Sequence, residues 1–266
     1  MNNKFSWSRF GRFARAELVG ERRAWLLKLG SFLTLCMVIY LLCNISVIID
    51  QMSGEGIEDI SLNYMMARFF TSIVLFFLIT YNLSCSFKRY FSTGRAAAIM
   101  MLPVTKSEKF LYATLVNLIV IPCVLLALYL LSDVLWARLL GFDNVFVQLS
   151  ELKAEMLESD FGELFSRQMG INVVAGLACM TFFLAGAAVF RRHQFLWTLL
   201  VGFILSMPLI VYAQCMVFYS SMYVRAIFDW LTSIQGFYIQ LLWCGLWACL
   251  WIFVAWRRFS TLQISK

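Results

Sequence analysis

The residue types that usually carry catalysis or metal binding are few in this chain and poorly spaced for it. One histidine is present, His193, in the basic turn Arg191-Arg192-His193-Gln194. A bis-histidine haem site is excluded, as is any metal site that needs two histidines. A Ser-His pair would require His193 to reach a serine from that turn, so it reads as a solvated loop residue. Eight cysteines (Cys36, Cys43, Cys85, Cys123, Cys179, Cys215, Cys244 and Cys249) lie within or at the edges of apolar runs, and no CxxC occurs. They read as small apolar side chains inside helices, not as a disulfide framework or a metal site. Glu155, Glu158 and Asp160 form an acidic group, but calcium binding there lacks the DxDxDG loop pattern. No HExxH, GxSxG or Walker A sequence is present. The expectation is a protein that is not an enzyme and holds no cofactor.

Charges within the apolar stretches are equally scarce. Lys28 and Asp133 stand at the ends of such stretches, where they are expected to snorkel. The polar residues further inside are neutral, among them Asn44, Asn82, Asn117, Asn172, Gln214 and Gln240. Ion-driven carriers commonly hold ionisable groups at mid-membrane. Their absence weighs against proton coupling, and leaves sodium held by carbonyls open.

The elements that must position these residues follow from composition. Of 266 residues, 62% are hydrophobic, 17% aromatic and 14% charged, and the mean hydropathy is +0.79. A soluble domain carries roughly a quarter charged residues. The excess of apolar material points to the bilayer as solvent. Six apolar runs approach the ~20 residues a membrane helix needs: Leu29–Ile49, Phe69–Ser86, Phe110–Leu131, Ile171–Phe190, Phe195–Phe218 and Phe237–Trp256. The second is short, with room to extend through Arg68 or Lys88. The runs are continuous rather than alternating, so helices are expected rather than barrel strands. The fold class expected is all-α, a polytopic single transmembrane domain over residues 1–266.

Lys and Arg set the orientation. Residues 1–28, 87–109, 191–194 and 257–266 hold 17 of the 22 basic residues, and 12 of the 15 acidic residues fall on the other side. Both termini are therefore expected in the cytoplasm of a plasma (inner) membrane protein. The net charge of +7 is mostly this asymmetry, so no nucleic acid is required. The basic leader is long and the first apolar run is of spanning length, so no cleavable signal peptide is expected.

Between the spans, residues 4–23 interleave Phe10, Phe13 and Leu18 with Arg9, Arg12 and Arg15. This predicts a cytoplasmic interfacial helix against membrane lipid; a plain topogenic leader is the alternative. Residues 132–168 predict an extracytoplasmic acidic amphipathic segment, with Leu149, Leu152, Met156, Leu157, Phe161, Leu164 and Phe165 at helical spacing. Residues 220–235 read as a re-entrant segment or a surface loop.

The best-marked stretch is Met100–Phe110, MMLPVTKSEKF. Pro103 disfavours helix at Leu102. Thr105 and Glu108 fit a capping box: the Thr105 hydroxyl accepts from the Glu108 N–H, and the Glu108 carboxylate accepts from the Thr105 N–H. Arg95 to Met101 is a half-apolar helical piece. Together they predict a folded cytoplasmic element, either a docking site for a cytosolic protein or a routine helix cap.

This stretch, with its continuation EKFLYATLV, resembles the cytoplasmic segment between the second and third helices of ABC-2 type transporter permeases. Leu102, Pro103, Val104, Glu108, Lys109 and Phe110 match an LP[VAS]-x-x-x-EKF pattern. The resemblance implies six membrane helices, an N-terminal interfacial helix and re-entrant helices near residues 220–235. It also implies a coupling segment, residues 87–109, whose Arg95, Leu102, Pro103, Thr105, Lys106, Glu108 and Lys109 dock on a separate ATP-binding ABC subunit. A second six-helix permease, as homodimer or heterodimer, completes the assembly. The long acidic outer segment departs from the compact family pattern. Without the resemblance, an unpowered small carrier or a membrane scaffold protein fits the same chain.

Overall fold

The computed structural model describes residues 5–46, 48–49, 60–91, 104–141, 146–148, 162–190, 192–219 and 233–262. Among the described residues the chain is all-helical, without a strand. In chain order the helices are α1 (Trp7–Gly20), α2 (Arg22–Cys43), α3 (Ile60–Ser84), α4 (Lys106–Leu140), α5 (Gly162–Val189), α6 (Gln194–Tyr219) and α7 (Ile234–Leu262), with a further turn at Lys88–Phe91. Among the described residues, five stretches are long and apolar enough to cross a membrane: Arg22–Cys43, Asn63–Ser84, Lys106–Leu140, Met169–Val189 and Ile234–Thr261. In α6 the described side chains, Gln194–Met207, form a shorter apolar helix. Leu27, Leu42, Leu139, Leu196, Trp243 and Phe253 are all exposed. Large apolar side chains turned outward on this scale suit a hydrocarbon solvent rather than water.

Two spans run longer than their apolar runs suggest. α3 extends the second run through Arg68, not through Lys88. α4 continues past Leu131 to Leu140, because Val134, Leu135, Trp136, Leu139 and Leu140 keep the segment apolar. Gly141, at φ 74°, then ends it in the left-handed conformation that glycine adopts without strain. Residues 132–140 are thus helix continuous with the third run. Within α4 the turn Val116–Val120 is π-helical, directly ahead of Pro122. Proline has no N–H to give and its ring crowds the carbonyl four residues back, and a widened turn relieves both.

The chain packs as two compact units. The first draws on α1, α2, α3 up to Ile79 and α4 from Ser107 onward. Its core holds Tyr40, Tyr64, Ala67, Trp136, Ala137 and Leu140, with the rings of Tyr40 and Trp136 stacked at 6.1 Å. The second unit draws on the last turn of α3, then α5, α6 and α7. There α5 carries the small residues Ala185, Ala187 and Ala188, all buried. Gly186 lies so close to α6 that an added Cβ would collide with Thr198 Oγ1 and come within 2.8 Å of Thr198 Cβ. Phe182 meets Trp251 of α7 edge-on at 4.9 Å. Gln194, the first residue of α6, donates to the Ala187 carbonyl near the end of α5. His193 is exposed and left-handed (φ 48°) in the turn between them.

Candidate functional site: two buried carboxylates

α4 begins at Lys106, which puts Thr105 at the N-cap position and Glu108 at the third helical residue, as a capping box requires. The fate of the Glu108 side chain differs from the expectation of a surface group: it is fully buried. Oε1 accepts from the backbone N–H of Ser6 at 2.9 Å and from Arg9 Nη2 at 2.7 Å, and Oε2 accepts from Arg9 Nε at 2.9 Å. Ser6 is the N-cap of α1, so this carboxylate, carried on the first turn of α4, closes the first turn of α1. Both helix N-termini present partial positive charge to it. Hydrogen bonding to Glu108 raises the Arg9 pKa further, so the guanidinium stays charged. Four residues on, Phe13 is buried with its ring edge-on to Tyr112 of α4 at 5.4 Å.

The remaining residues of the expected docking segment separate. Lys109 is buried beside Glu108, because the first turn of α4 is covered on that side instead of facing water. Lys106 is half-buried and its Nζ lies 3.4 Å from the Ser260 carbonyl in the last turns of α7. Thr105 is half-buried. Arg95, Leu102 and Pro103 lie outside the described residues. So do Glu155, Glu158 and Asp160, the acidic run from Leu149 to Phe161, and most of the 220–235 segment.

The second carboxylate corrects the reading of Asp133 as a snorkelling end group. Asp133 is fully buried in the first unit. Its Oδ1 accepts from Arg68 Nε at 2.7 Å, from the Tyr40 hydroxyl at 2.9 Å and from the Tyr64 hydroxyl at 3.0 Å, and Oδ2 accepts from Arg68 Nη2 at 3.2 Å. The Arg68 guanidinium also lies 4.5 Å from the Tyr64 ring centre and donates through Nη1 to Gln148. One carboxylate thereby ties α2, α3 and α4 together. A buried charge persists only when paired and hydrogen-bonded, and the two tyrosines and one arginine supply four donors.

The capping spacing marks Glu108 in the sequence, but its link to Arg9 spans 99 positions and no local pattern reports it. Nothing local pairs Arg68 with Asp133. The signal available was that each is a charge at an end of its apolar run, on adjacent spans.

Apolar helices long enough to span a membrane, with two buried, charge-paired carboxylates among the described residues, define an all-α membrane protein. No family model, curated protein or solved structure matches the chain.

Proposed function

We propose that the chain is the membrane-spanning permease subunit of an ABC-2 type transporter, exporting a substrate with ATP hydrolysed by a separate subunit. In this reading it crosses the plasma (inner) membrane six times, α6 included, with both termini cytoplasmic and α1 an amphipathic helix in the interface. It pairs with a second six-helix permease, identical or related, and contributes no catalytic residue of its own. The observation that carries the reading is the Glu108 clamp. The LPVTKSEKF stretch leads into α4, and Glu108 within it fastens α1 to the same point. A push delivered by an ATPase against residues 95–109 then moves α4 and the interfacial helix as one piece.

The experiment is purification of the tagged chain from native membranes. A co-purifying ATP-binding subunit, lost when Thr105 and Glu108 are both changed to Ala at unchanged abundance, supports the reading. A chain that purifies without any ATPase, with transport insensitive to the same substitutions, overturns it.

One observation favours the unpowered carrier. Arg68–Asp133 is a buried ionisable pair of the sort that carriers place on ion pathways. The carrier reading expects gradient-driven uptake or efflux that Asp133→Asn abolishes in vesicles without ATP, whereas the permease reading expects no transport in such vesicles.

A further inference from the structure

We infer that α1 and the start of α2 form a binding surface for anionic phospholipid headgroups. The inference rests on α1 being the cytoplasmic interfacial helix of the reading above, and names the lipid it selects. Among the described residues, Arg9 on Glu108 and Phe13 on Tyr112 hold one side of α1. In helical register Arg15 and Leu18 lie opposite that side, and Arg12 and Val19 on its flank. All four are exposed, as are Trp7, Arg22 and Arg23. The side chains of Arg12, Arg15, Arg22 and Arg23 make no hydrogen bond or ion pair with another described residue. Arg9, by contrast, is consumed by Glu108.

Apolar anchors interleave with these arginines. Trp7 is 72% exposed and Val19 56% exposed. Phe5, Trp7 and Phe10 form an aromatic cluster at the start of α1, with Phe5 and Trp7 rings 4.9 Å apart. Past the one-residue break at Glu21 (φ −96°, ψ 1°), Arg22 and Arg23 open α2, followed by exposed Leu26 and Leu27. Indole and aliphatic groups at headgroup depth, with unpaired guanidinium groups beside them, match a negatively charged lipid surface. Guanidinium binds phosphate through two parallel hydrogen bonds, so the phosphodiester of a lipid such as phosphatidylglycerol is the complementary group.

The test uses the full chain, purified without any ATPase, in mixed micelles containing equal amounts of phosphatidylglycerol and phosphatidylcholine. Lipid retained per protein is counted by mass spectrometry after gel filtration. Each arginine at an anionic surface is worth roughly a fivefold preference. The wild type is expected to retain phosphatidylglycerol in clear excess, and the double variant Arg12→Gln, Arg15→Gln to lose about tenfold or more of that excess. Arg12→Lys with Arg15→Lys should keep most of it. Salt raised from about 0.05 M to about 0.5 M should erode the wild-type excess, which tests the inference even if a variant folds poorly. Equal retention of the two lipids by the wild type, an excess insensitive to salt, or an excess unchanged by the glutamine variants overturns the inference. If those variants, purified separately from native membranes, instead reduce a co-purified ATPase while lipid selectivity in micelles stays, the surface binds protein: the lipid inference fails and the permease reading stands.

Discussion

Asp133 and Glu108 are both buried carboxylates, and their removal should act in different ways. Asp133 is buried and receives four donors, so loss of Arg68 leaves an uncompensated charge. Arg68→Ala or Asp133→Ala is expected to destabilise the protein by about 3–5 kcal/mol, and Arg68→Met combined with Asp133→Leu to restore most of it. Denaturant unfolding in bicelles measures this; a double variant no better than the worse single one would mean the pair is needed for more than charge balance. Tyr40→Phe removes one donor to a charged acceptor and should cost about 1.5–3 kcal/mol. Glu108→Gln tests the other carboxylate. The neutral amide keeps an acceptor for the Ser6 N–H and loses the ionic bond to Arg9. Amide exchange across Trp7–Gly20 should accelerate while α2 and α4 keep their protection. Exchange in α1 at the wild-type rate would show that the Phe13–Tyr112 contact alone holds it.

At the scale of elements, α5 and α6 make the tightest contact at a glycine among the described residues, Gly186 against the Thr198 side chain. Small side chains let backbones come close where lipid gives no hydrophobic drive to pack. Thr198 bonds back to the Gln194 carbonyl at 2.7 Å, which seats its side chain against Gly186. A methyl group at position 186 meets the Thr198 Cβ as well as its branches, so the two helices must part. Gly186→Ala should lose about 1–3 kcal/mol, as overpacked cores do. Thr198→Gly should relieve it in the double variant, and Thr198→Ala only in part, because the Cβ remains. Ala178 is half-buried, so Ala178→Leu should lower folded yield less than Gly186→Ala does. Comparing the two variants by detergent-solubilised yield orders them directly.

For the whole molecule the question is which side each end of the bundle faces. Basic residues divide 17 to 5 between the two sets of connecting segments, which sets the expected orientation. In single-site labelling with a membrane-impermeant thiol reagent, on a background without the natural cysteines, Ser159→Cys should react in intact cells. Ser92→Cys should react only after permeabilisation. Reversal at either position would invert the topology, and with it the placement of α1 and of the α4 start on the cytoplasmic side.

Periodicity and hydropathy alone were enough to locate the helices. Apolar runs from Leu29 onward each fall inside an observed helix or its immediate extension, because a chain in hydrocarbon must satisfy its backbone hydrogen bonds within each segment. The start of α4 was equally legible, since Thr105 and Glu108 stand at capping-box spacing and the helix begins at Lys106. The partners of the charged groups were not legible. Arg9 with Glu108 and Arg68 with Asp133 are 99 and 65 positions apart, and which charges meet depends on how helices pack. Local pattern placed Asp133 at the end of a run, where a lone carboxylate would reach for water. Tertiary structure instead surrounded it with Arg68, Tyr40 and Tyr64, and that neutralisation is what lets α4 carry a buried charge onward to Leu140.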